Sequence, residues 1–199
     1  MEKMNIDVLA FTGHKSLLGP QGIGGFLVSD EVAKEMTPLI TGGTGSVSDS
    51  EIQPEFMPDK FESGTQNIPG IYGLHAALTY LEQTGIDKIH AHEMELCRLF
   101  IEKINELGNP KIRVVGTQDM KKRGPVVSLD FEGKDNAEVS FLLDSEYGIS
   151  TRCGMHCAPN AHKTLGTYPQ GTVRFAFGFQ NTRQDVECAV QAIKEILQK

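Results

Sequence analysis

A short apolar run near the N-terminus leads directly into a polar stretch that contains one lysine. Residues 8–11 form the run, which predicts a buried strand. The residues after it are small or polar: Thr12, Gly13, His14, Lys15 and Ser16. Residues 17–22 contain a Gly-Pro pair and predict a turn rather than the start of a helix. The sequence therefore places the Lys15 amine at the end of a strand, at the rim of a sheet.

Two interpretations of Lys15 follow from this position. In the first, the lysine is a solvated residue whose stem packs along the sheet. In the second, it is a desolvated amine that forms a Schiff base with an aldehyde. The side chains of Thr12, His14 and Ser16 are donors that a phosphate-bearing aldehyde cofactor would need. The stretch by itself leaves both interpretations open.

The composition predicts a globular chain with enough apolar residues for a core. Of its 199 residues, 39% are hydrophobic and 23% are charged, which argues against disorder. The net charge of −7 argues against a general nucleic-acid or membrane-surface binder. No apolar run is long enough to span a bilayer, and the first residues lack the apolar segment of a signal peptide. We therefore expect a cytoplasmic protein without a nucleic-acid or membrane partner.

Apolar spacing divides the chain into an N-terminal strand-and-loop part and a C-terminal part of helices and strands. The first part has a Gly-rich strand at 22–29, a short helix at 31–36 and a long polar loop at 41–66. Helices are predicted at 71–83, 87–107, 137–145 and 160–165, with a terminal helix capped by Asn181 or Thr182. Strands are predicted at 113–116, 126–131, 147–152 and 172–177. We expect an α/β and α+β protein with domains at 1–80 and 81–199.

Two arginines lie on predicted strands of the second part. Arg174 alternates with Val173 and Phe175, so it faces away from the side that those two bury. Arg152 precedes Cys157 by five residues. An arginine on an apolar strand needs an anion, and a substrate carboxylate suits the guanidinium fork. A structural ion pair with one of the 26 acidic residues is the alternative.

The four cysteines differ in their surroundings. Cys157 lies beside His156 in a Gly-containing loop, which suits a thiolate nucleophile. Cys97 and Cys188 lie in amphipathic helices and are expected to pack in a core. For a cytoplasmic chain we expect thiols rather than disulfides, and Cys153 is assigned no role.

Histidines near these cysteines raise the question of a metal. A zinc site from Cys153, Cys157, His156 and His162 is conceivable, but no second paired cluster completes it, and we expect no metal. His90 and His92 are two residues apart, do not share a helix face, and are expected on the surface.

Gly64 and Thr65 precede the helix predicted at 71–83. Their backbone N–H groups and the Thr65 hydroxyl could bind a phosphate at the start of that helix. The alternative is an ordinary helix cap with Pro69 in the first turn.

Several motifs in a fixed order make the chain resemble the C-terminal half of the cysteine desulfurases of the class V aminotransferase family, which use pyridoxal phosphate (PLP). The motifs are Thr12-Gly13-His14-Lys15 with Gly19-Pro20-x-Gly22-Ile23-Gly24, Phe61-Glu62-Ser63-Gly64-Thr65-x-Asn67, Gly148-Ile149-Ser150-Thr151-Arg152-Cys153-Gly154-x-His156-Cys157-Ala158, and Val173-Arg174-Phe175-Ala176-x-Gly178-x-x-Asn181-Thr182. The resemblance runs from about Asp7 to the end. It implies the C-terminal part of a fold-type I large domain at 1–80, followed by the small α+β domain at 81–199.

The resemblance implies a role for each matching residue around the cofactor. Lys15 would be the Schiff-base lysine and later move the proton at the substrate α-carbon. Thr12 and His14 would hold the PLP phosphate. Gly64 and Thr65 would also bind cofactor, with Thr65 reaching the phosphate of a partner subunit's cofactor, which implies a homodimer.

The resemblance also implies how substrate is handled. Arg174 would clamp the carboxylate of L-cysteine or a related amino acid, with Arg152 nearby. Cys157 matches the cysteine that takes the substrate sulfur as a persulfide while alanine is released. A sulfur-acceptor protein would then be a partner.

The family places further site residues upstream of its lysine, whereas this chain begins about one strand before Lys15. We therefore expect an N-terminally truncated chain that alone neither binds PLP tightly nor turns over cysteine. The alternatives are another class V reaction, including selenocysteine lyase chemistry, and a non-catalytic remnant that serves as an interaction module.

Overall fold

In the computed structural model, which describes residues 1–47 and 49–198, the chain divides into two units. Unit 1 is Met1–Gly85 and unit 2 is Ile86–Lys199. Position 48 of the predicted loop and position 199 of the predicted second domain lie outside the described residues. No helix within the described ranges is both long and apolar enough to cross a membrane.

Unit 1 contains a two-stranded ribbon and two helices. Its elements are β1 (Val8–Thr12), β2 (Gly24–Val28), α1 (Asp30–Glu35) and α2 (Ile68–Thr84). The strands are antiparallel, with Val8 opposite Val28 and Thr12 opposite Gly24. The strand predicted at 8–11 is confirmed as β1, but its predicted burial is wrong, since Val8 and Leu9 are 45% and 43% exposed. A two-stranded ribbon offers too few neighbouring side chains to cover its own apolar residues.

The long loop of unit 1 is fastened by a buried lysine. Lys60 is 3% exposed, and its Nζ donates to the carbonyls of Ala33 (3.0 Å) and Lys34 (3.1 Å) at the end of α1. The same Nζ forms an ion pair with Glu55 at 2.8 Å. These bonds satisfy carbonyls that a helix end leaves open, and they tie the loop to α1.

Unit 2 packs three α-helices on one face of an antiparallel sheet. Its helices are α3 (Ile86–Glu106), α4 (Asn136–Tyr147), α5 (Pro159–Leu165) and α6 (Arg183–Ile196). Its strands are β3 (Ile112–Val115), β4 (Val126–Phe131), β5 (Arg152–Gly154) and β6 (Thr172–Ala176), in the order β3-β4-β6-β5. The strand predicted at 147–152 is wrong except for its last residue. The reason is that α4 continues to Tyr147 and ends at Gly148, which adopts the left-handed conformation (φ 65°).

The two faces of this sheet have different chemistry. Residues 127, 129 and 131 of β4 and residues 173 and 175 of β6 are buried in the core with side chains of α3, α4 and α6. On the same strands, Ser128, Asp130 and Arg174 alternate with these core residues and lie on the other face. The core thus leaves one sheet face available for a functional site.

Candidate active site

The segment between β1 and β2, residues 13–23, carries Lys15 and is called the Lys15 loop below. Its backbone closes on itself, because the Gly13 N–H donates to the Ile23 carbonyl (2.9 Å) and the Gly19 N–H donates to the Gly13 carbonyl (2.8 Å). A side chain at position 13 would meet the Ile23 carbonyl oxygen at 2.9 Å, so this close approach requires glycine. The predicted turn is confirmed.

Two contacts hold the Lys15 loop against α2. The Asn67 side-chain amide donates to the Gly22 carbonyl at 3.1 Å. Pro20 lies on Gly73, where an added Cβ would stand 2.7 Å from the proline ring. The glycine in α2 therefore sets how closely the loop approaches the helix, and the loop presents its side chains from a fixed base.

The polar side chains at the end of β1 and in the Lys15 loop are open to ligands. Thr12, His14 and Lys15 are exposed, and none of their side chains has a hydrogen-bond or ion-pair partner in the part of the chain that the structure describes. Within unit 1 the Lys15 amine is solvated, as in the first interpretation. The second interpretation requires a ligand or further protein surface to desolvate the amine.

Asn67, rather than Gly64 or Thr65, caps α2. Its Oδ1 accepts a hydrogen bond from the Gly70 N–H at 3.1 Å. The Gly64 N–H is also engaged, since it donates to the Gly43 carbonyl at 2.8 Å. The N–H and hydroxyl of Thr65 have no partner among residues 1–47 and 49–198, so they are the donors that this segment offers to an anion.

In unit 2, two arginines lie side by side on the polar face of the sheet. The strand register places Arg174 on β6 between Ser128 on β4 and Arg152 on β5. Within the described residues, neither guanidinium lies within ion-pair distance of a carboxylate. The ion-pair alternative for Arg174 therefore has no support here, and two cations with a neighbouring hydroxyl face a site that suits an anion. Ser128 was missed from the sequence, although its alternation with Val127 and Leu129 places it on this face.

The thiol of Cys157 lies next to one of these arginines. Residues 155–158 form a tight turn closed by a hydrogen bond from the Ala158 N–H to the Met155 carbonyl at 2.8 Å. Both central residues, His156 (φ 50°) and Cys157 (φ 61°), are left-handed. Arg152 Nη2 donates to the Cys157 sulfur at 3.6 Å. A cationic donor beside an exposed sulfur is an arrangement found around nucleophilic thiolates.

Two glycines bring the strand before this turn close to β6. An added Cβ on Gly171 would overlap the backbone of Gly154, and both residues have positive φ (76° and 99°). The Gly171 carbonyl accepts a hydrogen bond from the Asn136 side chain at 3.0 Å, and Asn136 is 1% exposed. The base of the Cys157 turn is therefore fixed by buried contacts.

The two histidines of this segment have different roles. His156 Nε2 donates to the Arg152 carbonyl at 2.8 Å. Burial lowers the pKa of His156, and the positive charges of Arg174 and Arg152 lower it further. The hydrogen bond to the Arg152 carbonyl acts in the opposite direction, but the net shift of the pKa is downward. His162 is buried and hydrogen-bonds Thr167 Oγ1 at 2.7 Å. His156 is therefore neutral at pH 7.

The other cysteines do not join this cluster. Cys97 is buried as predicted, and burial raises the pKa of its thiol. Cys188 is exposed, so its predicted place in the core is wrong. Cys153 pairs with Val173 across the sheet, which puts it on the opposite face from Arg152 and away from the Cys157 turn. All four cysteines are free thiols.

The described residues contain no set of side chains arranged as metal ligands. Among those residues, no group of three or more His, Cys, Asp or Glu side chains is placed to hold a metal ion. His90 is exposed as predicted. His92 is half-buried and donates to the Asn181 carbonyl at 2.8 Å, so the prediction that it is a surface residue is wrong.

Comparison with known proteins gives consistent matches over nearly the whole chain. Residues 1–188 match the aminotransferase class-V family. A probable cysteine desulfurase of Pyrococcus abyssi (strain GE5 / Orsay) is 35% identical over 200 residues, 99% of this chain and 48% of that protein. The crystal structure of the cysteine desulfurase CsdA from Escherichia coli has a TM-score of 0.87 at 33% identity, over 99% of this chain and 47% of that one. The apo cysteine desulfurase from Thermococcus onnurineus NA1 has a TM-score of 0.89 at 33% identity, over 99% and 48%.

These matches confirm the predicted class of protein, because the mixed helices and sheets have the fold of the fold-type I PLP enzymes. The chain belongs to the aminotransferase class-V family. The chain spans about half the length of the relatives it matches.

Proposed function

We propose that this chain carries the lysine, thiol and arginine residues of a PLP-dependent cysteine desulfurase. The observation that carries the proposal is the contact of Arg152 with the Cys157 sulfur, with Arg174 unpaired beside Arg152 on the next strand. A desulfurase needs a carboxylate clamp and a sulfur acceptor close together, and this cluster supplies both from unit 2. The names of the matched relatives support the same activity.

The chemistry of the donors in unit 1 fits PLP. The cofactor is a phosphorylated aldehyde. The Lys15 loop offers a solvated amine and an unpartnered donor at His14, and the end of β1 offers a further donor at Thr12. Thr65 offers a further hydroxyl and N–H for a phosphate, in the proposed homodimer that of the partner subunit's cofactor. When bound, PLP supplies an electron sink for the substrate α-carbon. The Lys15 amine would carry the proton at that carbon.

The cluster of unit 2 would bind the substrate and accept sulfur. The guanidinium groups of Arg174 and Arg152 bind the carboxylate of L-cysteine and orient its thiol. The carbon–sulfur bond breaks, the sulfur atom joins the Cys157 thiolate as a persulfide, and the carbon skeleton leaves as alanine with hydrogen in place of sulfur. Cys157 is exposed on a turn, so a sulfur-acceptor protein can reach the persulfide. The free thiols are consistent with a cytoplasmic location.

A chimera tests these assignments directly. In a full-length relative, the matching half is replaced by this chain, and PLP and L-cysteine are supplied. We expect alanine release and a persulfide on Cys157, detected by alkylation and peptide mass spectrometry. Lys15→Ala should remove both products, and Cys157→Ala should lower persulfide formation about 100-fold or more.

Cys153→Ala is the matched control, because it removes an exposed thiol four residues away on the opposite sheet face. It should leave alanine release within about twofold of the unsubstituted chimera. Full alanine release in the Cys157→Ala chimera would refute the sulfur-acceptor role of Cys157.

A further inference from the structure

We propose that His156 is the positioning residue of the Cys157 thiol, because its ring locks the left-handed turn that keeps the sulfur beside Arg152. The inference rests on the proposed function for its purpose, but its test uses neither cofactor nor substrate.

The turn that carries Cys157 is unfavourable in itself. Left-handed backbone is adopted readily by glycine and asparagine, whereas other residues lose about 1 kcal/mol or more in it. Here two consecutive residues that are neither, His156 and Cys157, have φ of 50° and 61°. The closing hydrogen bond from Ala158 to Met155 is common to any such turn and does not offset this cost. A further contact must hold the conformation.

The His156 ring supplies that contact. Its Nε2 donates to the Arg152 carbonyl at 2.8 Å, and Arg152 is the residue whose guanidinium donates to the Cys157 sulfur at 3.6 Å. The two central residues of the turn therefore both contact Arg152. His156 binds its backbone carbonyl, and the Cys157 sulfur binds its guanidinium. Loss of the ring would free the turn to leave the left-handed region and carry the sulfur away from the guanidinium.

A second histidine ring packs near the His156 ring. The ring of His162 lies 5.8 Å from it, centroid to centroid, and His162 is 6% exposed. His162 is itself fixed by its 2.7 Å hydrogen bond to Thr167, which is also buried. A fixed buried ring limits the positions open to the His156 side chain and favours the one that reaches Arg152.

Charge-selective alkylation measures the position of the sulfur. Iodoacetate and iodoacetamide react alike, with the thiolate displacing iodide, but only iodoacetate carries a negative charge. A guanidinium beside the sulfur raises the iodoacetate rate relative to the iodoacetamide rate. Peptide mass spectrometry of the full chain gives this ratio for Cys157 and, as internal controls, for the exposed thiols Cys153 and Cys188. We expect a higher ratio at Cys157 than at either control.

Three substitutions at His156 separate the effect of its hydrogen bond from the effect of backbone strain. His156→Ala and His156→Gly both remove the donor, and glycine also removes the strain. His156→Ala should lower the Cys157 ratio by about threefold or more, toward the control thiols. His156→Gly should lower it less, because glycine removes the cost of the left-handed conformation at one of the two positions. His156→Gln places an amide donor at the same reach as Nε2 and should restore most of the ratio. In an Arg152→Gln background, His156→Ala should have little further effect, since the charge it positions is gone.

The inference fails if His156→Gly keeps the unsubstituted ratio, or if His156→Gln loses as much as His156→Ala. It also fails if Cys157 shows no preference for iodoacetate in the unsubstituted chain. Circular dichroism checks the fold of each variant, and the glycine variant decides the comparison if the alanine variant does not fold. An inactive chimera with the expected alkylation ratios would contradict the proposed function and leave this inference standing.

Discussion

The two units stabilise their candidate functional residues in different ways. Unit 2 has a continuous apolar core, whereas the buried apolar side chains of unit 1 among the described residues are only Ala33 and Leu81. Large apolar side chains of unit 1 remain in water, with Leu39 98% and Ile52 79% exposed. Since burial is the main stabilising contribution to folding, unit 2 has its own basis for stability. Unit 1 depends more on polar contacts such as those of Lys60.

This difference bears on the chemistry. The arginine and thiol cluster is built on a sheet whose other face is the core, so its geometry is fixed by packing within unit 2. The Lys15 loop is held by backbone hydrogen bonds and by its contacts with α2. We therefore expect the cluster of unit 2 to keep its structure under conditions that loosen the Lys15 loop.

The largest expected effect separates the two units by truncating one phenylalanine in each. Phe100 is fully buried, and its ring lies 4.8 Å from Phe175 and 5.3 Å from Phe177. Phe100→Ala should lower the free energy of unfolding by about 3–5 kcal/mol. Phe26 is 39% exposed and contacts Phe61 edge-on at 5.5 Å, so Phe26→Ala should cost about 1 kcal/mol.

Urea unfolding followed by circular dichroism gives both free energies, and hydrogen exchange by mass spectrometry assigns each loss to a unit. Equal costs for the two substitutions would contradict the difference in burial between the units.

A smaller effect is expected from the buried lysine of unit 1. Lys60→Met keeps the length of the side chain but removes its hydrogen bonds to the Ala33 and Lys34 carbonyls and its ion pair with Glu55. We expect a loss of about 1–3 kcal/mol, confined to unit 1. Amide exchange should become faster in residues 30–36 and unchanged in the core helices of unit 2.

Lys194→Met is the control, because Lys194 is exposed on α6 and its amine has no hydrogen-bond, ion-pair or ring partner among the described residues. Unchanged exchange in unit 1 of the Lys60→Met variant would show that polar contacts are not what holds its loop.

Local patterns predicted most elements of unit 2. The alternation at 172–177 gave β6 with Arg174 facing away from the core, and Thr182 caps α6 as expected. These features depend on neighbours within a few residues, so the sequence displays them directly. The family motifs predicted the fold class and the family, and the comparisons confirm both.

A turn without a glycine signal and the contacts between residues far apart in the sequence were not predicted. The left-handed turn at His156 and Cys157 contains no glycine, so the sequence gives no signal for it. Its contacts with Arg152 depend on the position of β5. The close approach of Gly154 and Gly171 joins residues 17 positions apart. The burial of β1 was predicted from an apolar run, but burial depends on what packs against a strand as well as on its own residues.

The smallest expected effect concerns the N-cap of α6, which differs from the N-cap of α1 in unit 1. In unit 2, α6 has a complete capping box, in which Asp185 accepts from the Thr182 N–H at 2.8 Å, whereas the N-cap Ser29 of α1 in unit 1 makes no side-chain cap bond. The hydrogen bond from the Thr182 backbone, followed by that from the Asn181 side chain, lowers the pKa of Asp185. A carboxylate with a lowered pKa in the folded state stabilises that state at pH values above its unfolded pKa of about 3.9. This contribution is lost as the pH falls through the folded pKa.

Asp185→Asn should therefore lower the melting temperature slightly at pH 6, and the difference from the unsubstituted chain should disappear as the pH falls through the lowered pKa of Asp185. Thermal melts between pH 2 and 7 measure it, with Glu82→Gln in α2 as the control for loss of one exposed carboxylate. A difference of the same size at pH 2 and pH 6 would mean that the ionised carboxylate is not what stabilises the start of α6. In that case α6 would be held by the apolar face that it buries. Burial alone would then account for the difference in stability between the units.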